Sequence, residues 1–310
     1  MRYIRTILVA ALTAVLSPGC DMTEDARNCP DLENVTLRFS LIDKQGREVF
    51  TDNINKTDLY LFDGAGNYHS HRQIPTSNLD ADQSFKLWLN PGTYTVVSWG
   101  NVGNRTLSTL LSNIHTITDG QEIFNTNESG DPLFYASAQA LGLTRSFNPN
   151  RELITFIVPE NGSAHETIRF THAHNKLDVY VKGYSINGKL PIIAIEGNQT
   201  GFDFYLNYLN NGTVTYKQPS VYKDTDDGRM ANAIFNIPRV KEDNNIKIHV
   251  INPETGETDW TVTLKEVLES FSNFDMEVEI RIPILFEYFE GRFEVKMPAW
   301  ETEPTTPGLD

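Results

Sequence analysis

SFKLWLNPGTYTVVSWGN, Ser84 to Asn101, decides the fold class. Phe85, Leu87 and Leu89 share one face of a strand, up to the interruption Asn90-Pro91-Gly92. Pro91 presets φ near -65° and Gly92 tolerates positive φ, the needs of the two central positions of a type II turn, so two antiparallel strands are expected to meet there. Beyond it, Tyr94 and Val96 fall on one face and Thr95, Val97 and Trp99 on the other. Bulk on both faces predicts a strand buried inside a sheet.

Upstream, DLYLFDGAGNY (Asp58 to Tyr68) repeats the arrangement: Leu59 and Leu61 alternate with Tyr60 and Phe62, and Asp63 to Asn67 supplies the reversal of a hairpin. Further strands are expected at Val35–Ile42, Leu153–Val158, Lys176–Val181, Thr213–Lys217, Ile246–Ile251, Thr261–Leu264, Glu277–Ile284 and Arg292–Met297. Two short helices are expected, at Arg105–Asn113 and Leu264–Ser270. Many short strands separated by Gly, Pro, Asn and Asp predict an all-β chain of antiparallel β-sandwiches. The polar break Pro159 to Ser163 divides the chain beyond its leader into nearly equal halves, which predicts two domains, 33–160 and 161–300. The tail 301–310, ETEPTTPGLD, reads as flexible.

The N-terminus carries an address. In MRYIRTILVAALTAVLSPGC, Arg2 and Arg5 precede an apolar run from Ile7 to Leu16, broken only by Thr13, and the small residues before Cys20 suit a cleavage site. The run is too short to span ~30 Å of hydrocarbon, so residues 1–19 read as a signal peptide. A cysteine at the cleavage point predicts lipid attachment at Cys20, through a thioether-linked diacylglycerol and an N-acyl chain such as palmitate. Several acyl chains hold where a single one binds only reversibly. The approach to Cys20 departs from the usual lipobox, since Leu16 lies one place too far away and Pro18 sits just before the site. Residues 20–32 then form a polar, acidic linker. With Cys29 as the only other cysteine, no intramolecular disulfide framework is expected.

Charge narrows the partners. The chain has 26 Lys and Arg against 41 Asp and Glu, a formal charge of -15 that becomes -17 once Arg2 and Arg5 leave with the signal. Nucleic acid is excluded as a natural partner, and membrane attachment must come from lipid rather than from a basic patch. No cofactor is expected.

Few residues nominate chemistry. His69/His71 and His172/His174 have the spacing that puts two imidazoles on one strand face, where a transition metal could bridge them, but neither pair has a local third ligand. Asp224-Thr225-Asp226-Asp227-Gly228 resembles the start of a calcium loop, yet the glycine falls one place early and the closing Glu is missing; a plain acidic turn is the simpler reading. There is no G-x-S-x-G elbow, and Cys29 lies in the linker, so no catalytic residue is expected. Trp88, Trp99, Trp260 and Trp300 could form a sugar-stacking platform, although each also suits a strand.

Taken together, Cys20, the RNCPD linker, VTLRFSL, DLYLFDGAGNY, LWLNPGTYTVVSWGN and, more loosely, RFTHAHNKLDVYVKG resemble the fimbrillin-anchor lipoproteins of type V pili, over nearly the whole mature chain. The resemblance implies two transthyretin-like sandwich domains, a lipid tether from Cys20 to the outer membrane, and a non-catalytic role: holding the base of a fimbrium to the cell surface by binding a pilin subunit, in support of adhesion. Strand pairing at a free edge would supply the affinity, with Arg292–Met297 as the candidate edge. The alternative is a surface glycan-binding lipoprotein using its exposed tryptophans.

Overall fold

A computed structural model describes residues 33–43, 45–124, 129–136, 152–241, 244–271 and 280–298. Cys20, Cys29, Trp300 and the tail 301–310 lie outside the described residues. In the first half the strands are β1 (Val35–Ser40), β2 (Lys56–Asp63), β3 (Tyr68–Pro75), β4 (Ser84–Leu87), β5 (Gly92–Gly100), β6 (Thr106–Ser108), β7 (Gln121–Phe124), β8 (Phe134–Ala136), β9 (Ile154–Val158) and β10 (Ala164–His172). The second half adds β11 (His174–Lys182), β12 (Ile192–Gln199), β13 (Gly201–Asp203), β14 (Thr213–Pro219), β15 (Val221–Thr225), β16 (Gly228–Pro238), β17 (Lys247–Ile251), β18 (Thr258–Thr263), β19 (Arg281–Phe289) and β20 (Arg292–Lys296). The helices are α1 (Phe50–Asn53) and α2 (Leu264–Glu269). The chain is nearly all β, as its alternation requires.

The first sheet runs β3-β2-β5-β8-β10-β1-β4, with β9 also paired to β5. It curves around a core of Val35, Leu37, Phe39, Leu59, Leu61, Val96, Phe156 and Phe170, into which α1 inserts Phe50. The Phe39, Phe50 and Phe170 rings meet at 5.5 to 6.1 Å. In the second half a five-stranded sheet, β15-β16-β11-β19-β20, faces a four-stranded one, β14-β12-β17-β18. Between them lie Leu177, Val179, Phe235, Ile284 and Phe286 from the first and Ile193, Ile195, Ile248 and Val250 from the second. α2 closes this core behind a capping box: Thr263 Oγ1 accepts from the Glu266 backbone N–H at 3.1 Å, while the Thr263 backbone N–H donates to the Glu266 carboxylate.

Four expectations are corrected. Pro91-Gly92 does not join paired strands, because β4 pairs with β1 while β5 pairs with β2, β8 and β9. The turn residues instead carry the chain from one end of the sheet to its middle, and Asn34 takes the place of a strand partner by bonding both the N–H and the C=O of Leu89. The sheets are not purely antiparallel: β1 runs parallel to β10, and β11 to β19. Between the paired strands lie 123 and 98 residues, ample for the crossover that parallel strands need. Residues 105–113 form β6 and a 3-10 turn rather than a helix, since Thr106 to Ser108 pair with β7. Finally, the break at Pro159–Ser163 lies within the first sheet, between β9 and β10. The chain passes from the first sheet to the five-stranded one at Ala173, a fully buried residue whose neighbours carry no turn signal.

The two halves share a seam. β13 from the second half pairs with β7, which pairs with β6, in a three-stranded sheet built from both. Behind it, the outward faces of β2 and β5 present Tyr60, Phe62 and Trp99 to Phe202 and Phe204. The Tyr135 hydroxyl donates to the Phe204 carbonyl at 2.7 Å. The second core therefore continues without a gap into the back of the first sheet.

Candidate functional site

β20 ends the five-stranded sheet and has no partner on its outer side among the described residues. It folds back from β19 through Glu290 and Gly291, at φ +50° and +80°, the pair of positive values a two-residue type I′ turn requires. Its alternation is clean: Arg292, Glu294 and Lys296 are exposed, while Phe293 and Val295 turn toward the second core. On the charged face, Lys296 and Lys182 both pair with Glu287 of β19.

Beside this edge the two sheets of the second half fail to close. β18 is the outermost strand of the four-stranded sheet, and between it and β20 lies a cleft of about 500 Å³ lined by Tyr184, Asp259, Trp260, Tyr288, Arg292 and Phe293. Trp260 stacks on Phe293 at 5.2 Å and meets Phe286 edge-on at 4.8 Å; Tyr184 and Tyr288 complete the aromatic wall. The Tyr184 hydroxyl donates to the Asp259 carboxylate, and burial together with that partner raises the phenol's pKa. The arrangement offers two things to an extended peptide: a row of main-chain donors and acceptors on β20, and an aromatic-walled slot with one acidic and one basic rim residue.

The sheet that carries β20 is braced from its other face by Asp178. Its carboxylate accepts from Arg281 at 2.6 and 3.0 Å, from the Asn232 amide at 2.6 Å and from the Tyr180 hydroxyl at 3.1 Å, with Lys223 at 3.7 Å. Burial alone would raise its pKa; the Asn232 amide and the Arg281 and Lys223 cations outweigh burial and hold it below the usual carboxylate range. One carboxylate thus ties together β11, β15, β16 and β19. Asp178→Ala is expected to cost about 2 kcal/mol, by leaving part of the Arg281 guanidinium and one of the two Asn232 Nδ2 hydrogens without their carboxylate acceptor, the Val179 carbonyl keeping the other, and chemical denaturation reads it directly. Because the native pKa lies below the unfolded value, this stabilisation is complete above about pH 4 and is lost as the pH falls through the native pKa.

The other sequence candidates disperse. A bulge in β3 leaves His69 unpaired between Tyr68 and Ser70, which breaks the period of two. His69 therefore meets Tyr94 on the first-core side, whereas His71 faces Tyr60 and hydrogen-bonds Asp58 at 3.0 Å. His172 and His174 lie on either side of the change of sheet, and the His174 Nδ1–H donates to the Leu133 carbonyl at 2.8 Å. Burial lowers the His174 pKa to about 4, which keeps it neutral. Asp224 to Gly228 is the hairpin between β15 and β16; Asp227 points to Lys182 and Asp224 toward Arg229, so the carboxylates do not converge. No group of three potential metal ligands occurs among the described residues. Trp99 is fully buried, Trp260 belongs to the cleft and Trp88 is 54% exposed on the first half, so these three form no common platform. Sequence reasoning finds the β20 edge but not the cleft, whose wall gathers Tyr184, Trp260 and Tyr288 from three separate strands or loops.

An all-β chain of facing sheets falls in the class of β-sandwich proteins. The same fold occurs in a candidate adhesin of Bacteroides ovatus (TM-score 0.67, 12% identity, covering 86% of this chain and 94% of that one). It occurs in a candidate adhesin of Bacteroides thetaiotaomicron (0.66, 20%, 88% and 98%) and in the fimbrial anchor protein Mfa2 of Porphyromonas gingivalis (0.60, 16%, 84% and 94%). No curated protein matches the sequence. The chain belongs to the family of fimbrillin-A associated anchor proteins Mfa1 and Mfa2, whose family model matches residues 25–303. No helix among the described residues is long and apolar enough to cross a membrane.

Proposed function

We propose that the protein is an outer-membrane lipoprotein, anchored through acyl chains on Cys20, that holds the base of a fimbrium to the cell by binding a pilin subunit at the β20 edge. Membership of the anchor family supports the role, and the export signal ending at Cys20 supports the tether. The observation that carries the binding mode is the edge of β20, unpaired among the described residues, beside an unclosed aromatic cleft. An incoming strand would gain a ladder of main-chain hydrogen bonds, and its alternate side chains would fill the slot against Trp260 and Phe293.

Proline substitution tests this mode. Neighbouring amides along a strand point to opposite sides, so of Glu294→Pro and Val295→Pro one removes a bond to β19 and the other an outward-facing N–H. The outward variant is expected to weaken capture of the fimbrial subunit at least about tenfold, a loss of ~1.4 kcal/mol, with the melting temperature little changed. Undiminished capture by both variants would contradict strand addition at β20.

A further inference from the structure

The end of the first sheet where the linker joins is clipped by one side chain. Asn34 Nδ2 donates to the Leu89 carbonyl at 2.8 Å, Asn34 Oδ1 accepts from the Leu89 amide at 2.9 Å, and the Asn34 carbonyl accepts from the Ala164 amide at 2.8 Å. Leu89 is consequently 3% exposed, and strand alternation turns its neighbour Trp88 the other way, to 54% exposure. Trp88 is the bulkiest apolar side chain left in solvent among the described residues. Register puts a second exposed apolar residue at this end: Ile157, 69% exposed, lies opposite Thr93 near the end of β9.

We propose that Trp88 is a membrane-surface contact: in the anchored protein, the end of the first sheet that bears Asn34 rests on the lipid headgroups, with the Trp88 indole at the interface. The inference rests on lipid attachment at Cys20. From Cys20 to residue 32 there are thirteen residues, which reach no more than about 45 Å even fully extended. The linker enters the sheet at Asn34, so this is the end of the globule held nearest the bilayer. An indole combines a large apolar ring with an N–H that prefers to stay wet, the combination that concentrates tryptophan at membrane interfaces. The net charge of -17 after signal removal gives no attraction to anionic lipid, so the contact has to be apolar and suits a zwitterionic surface.

The test uses the lipidated full chain in phosphatidylcholine vesicles, with and without brominated phosphatidylcholine, alongside Trp88→Phe. The vesicles are floated on a density gradient and tryptophan emission is read from the floated fraction. Bromine is expected to quench about a quarter of the wild-type emission, the share of one tryptophan in four, and quenching should vanish in Trp88→Phe, which still floats. Wild-type protein that floats unquenched, or Trp88→Phe quenched as strongly as wild type, overturns the contact while leaving the tether intact. Protein that does not float overturns the tether and the contact together. A Trp88 emission that responds to a soluble glucan and not to vesicles overturns it in favour of sugar binding.

Discussion

Replacing Glu122 by glutamine is expected to stabilise the protein at pH 8 by on the order of 4 kcal/mol, with the gain disappearing by about pH 4.5. Glu122 lies on β7, in the sheet that joins the two halves, and is fully buried. The Ser108 hydroxyl donates to one carboxylate oxygen at 2.6 Å; the other has no hydrogen-bond partner. Burial, and beyond it the nearby Asp58 carboxylate, push its pKa up to about 8 against the pull of the Ser108 bond. Proton counting gives the sign. Below pH 4.5 both native and unfolded states carry the proton; between 4.5 and 8 the unfolded chain releases a proton that the native chain keeps, and stability falls by about 1.4 kcal/mol per pH unit. His174 works in the opposite direction between about pH 4 and 6.5, where the unfolded chain gains a proton that the buried imidazole refuses. In the wild type the two slopes offset each other below pH 6.5, and the decline emerges between 6.5 and 8. Subtracting wild type from Glu122→Gln in urea titrations at pH 5, 6.5 and 8 removes the His174 contribution. A difference that does not grow with pH contradicts the assignment.

Trp99→Ala is expected to cost about 3–5 kcal/mol and to lower the melting temperature by roughly 10 °C. Trp99 is fully buried, meets Tyr135 edge-on at 4.8 Å and stacks on Phe202 at 6.1 Å. Its removal opens a cavity where the back of the first sheet meets the second half, so both halves lose support at once. Its indole N–H is buried without a hydrogen-bond partner, so Trp99→Phe, which keeps the ring packing and discards the orphan donor, should recover most of the loss. Trp88→Ala, eleven positions earlier and exposed, should stay within about 0.5 kcal/mol of wild type. Calorimetry should show one transition in wild type, because the seam couples the halves. Two separate transitions, or a Trp99→Ala melt within 2 °C of wild type, would contradict a shared core.

The contrast between these two tryptophans marks what the sequence makes legible. Alternation locates β1, β2, β5, β9 and β20 within a few residues, and the Asp63–Asn67 reversal is readable because its chemistry is local: Asp63 Oδ1 accepts from the Ala65 and Asn67 amides, with Gly66 at φ +82°. Periodicity assigns a residue to a face, but it does not name what that face meets. Tyr60 and Phe62 look like one side of one internal strand and Trp99 like one side of another, and nothing near them announces Phe202 or Phe204, between about 100 and 145 residues on. For the same reason Pro91-Gly92 reads as a hairpin: turn chemistry is identical whether the strands it separates pair with each other or with others. Ala173, where the chain changes sheets, carries no turn signal at all, whereas Pro159–Ser163 carries a strong one inside a single sheet. In the candidate site, the β20 edge is visible as Arg292–Met297 because it is the last strand of the chain before the polar tail. The cleft is not, because it exists only once β18 and β20 are brought side by side.

The central claim, that a lipidated Cys20 makes this family member the attachment point of a fimbrium, is tested most directly by Cys20→Ala in the cell that carries it. Membranes are fractionated and the culture medium is assayed for shed fimbriae. The protein is expected to leave the membrane fraction and fimbriae to accumulate in the medium; membrane-bound protein with fimbriae still attached would contradict the account.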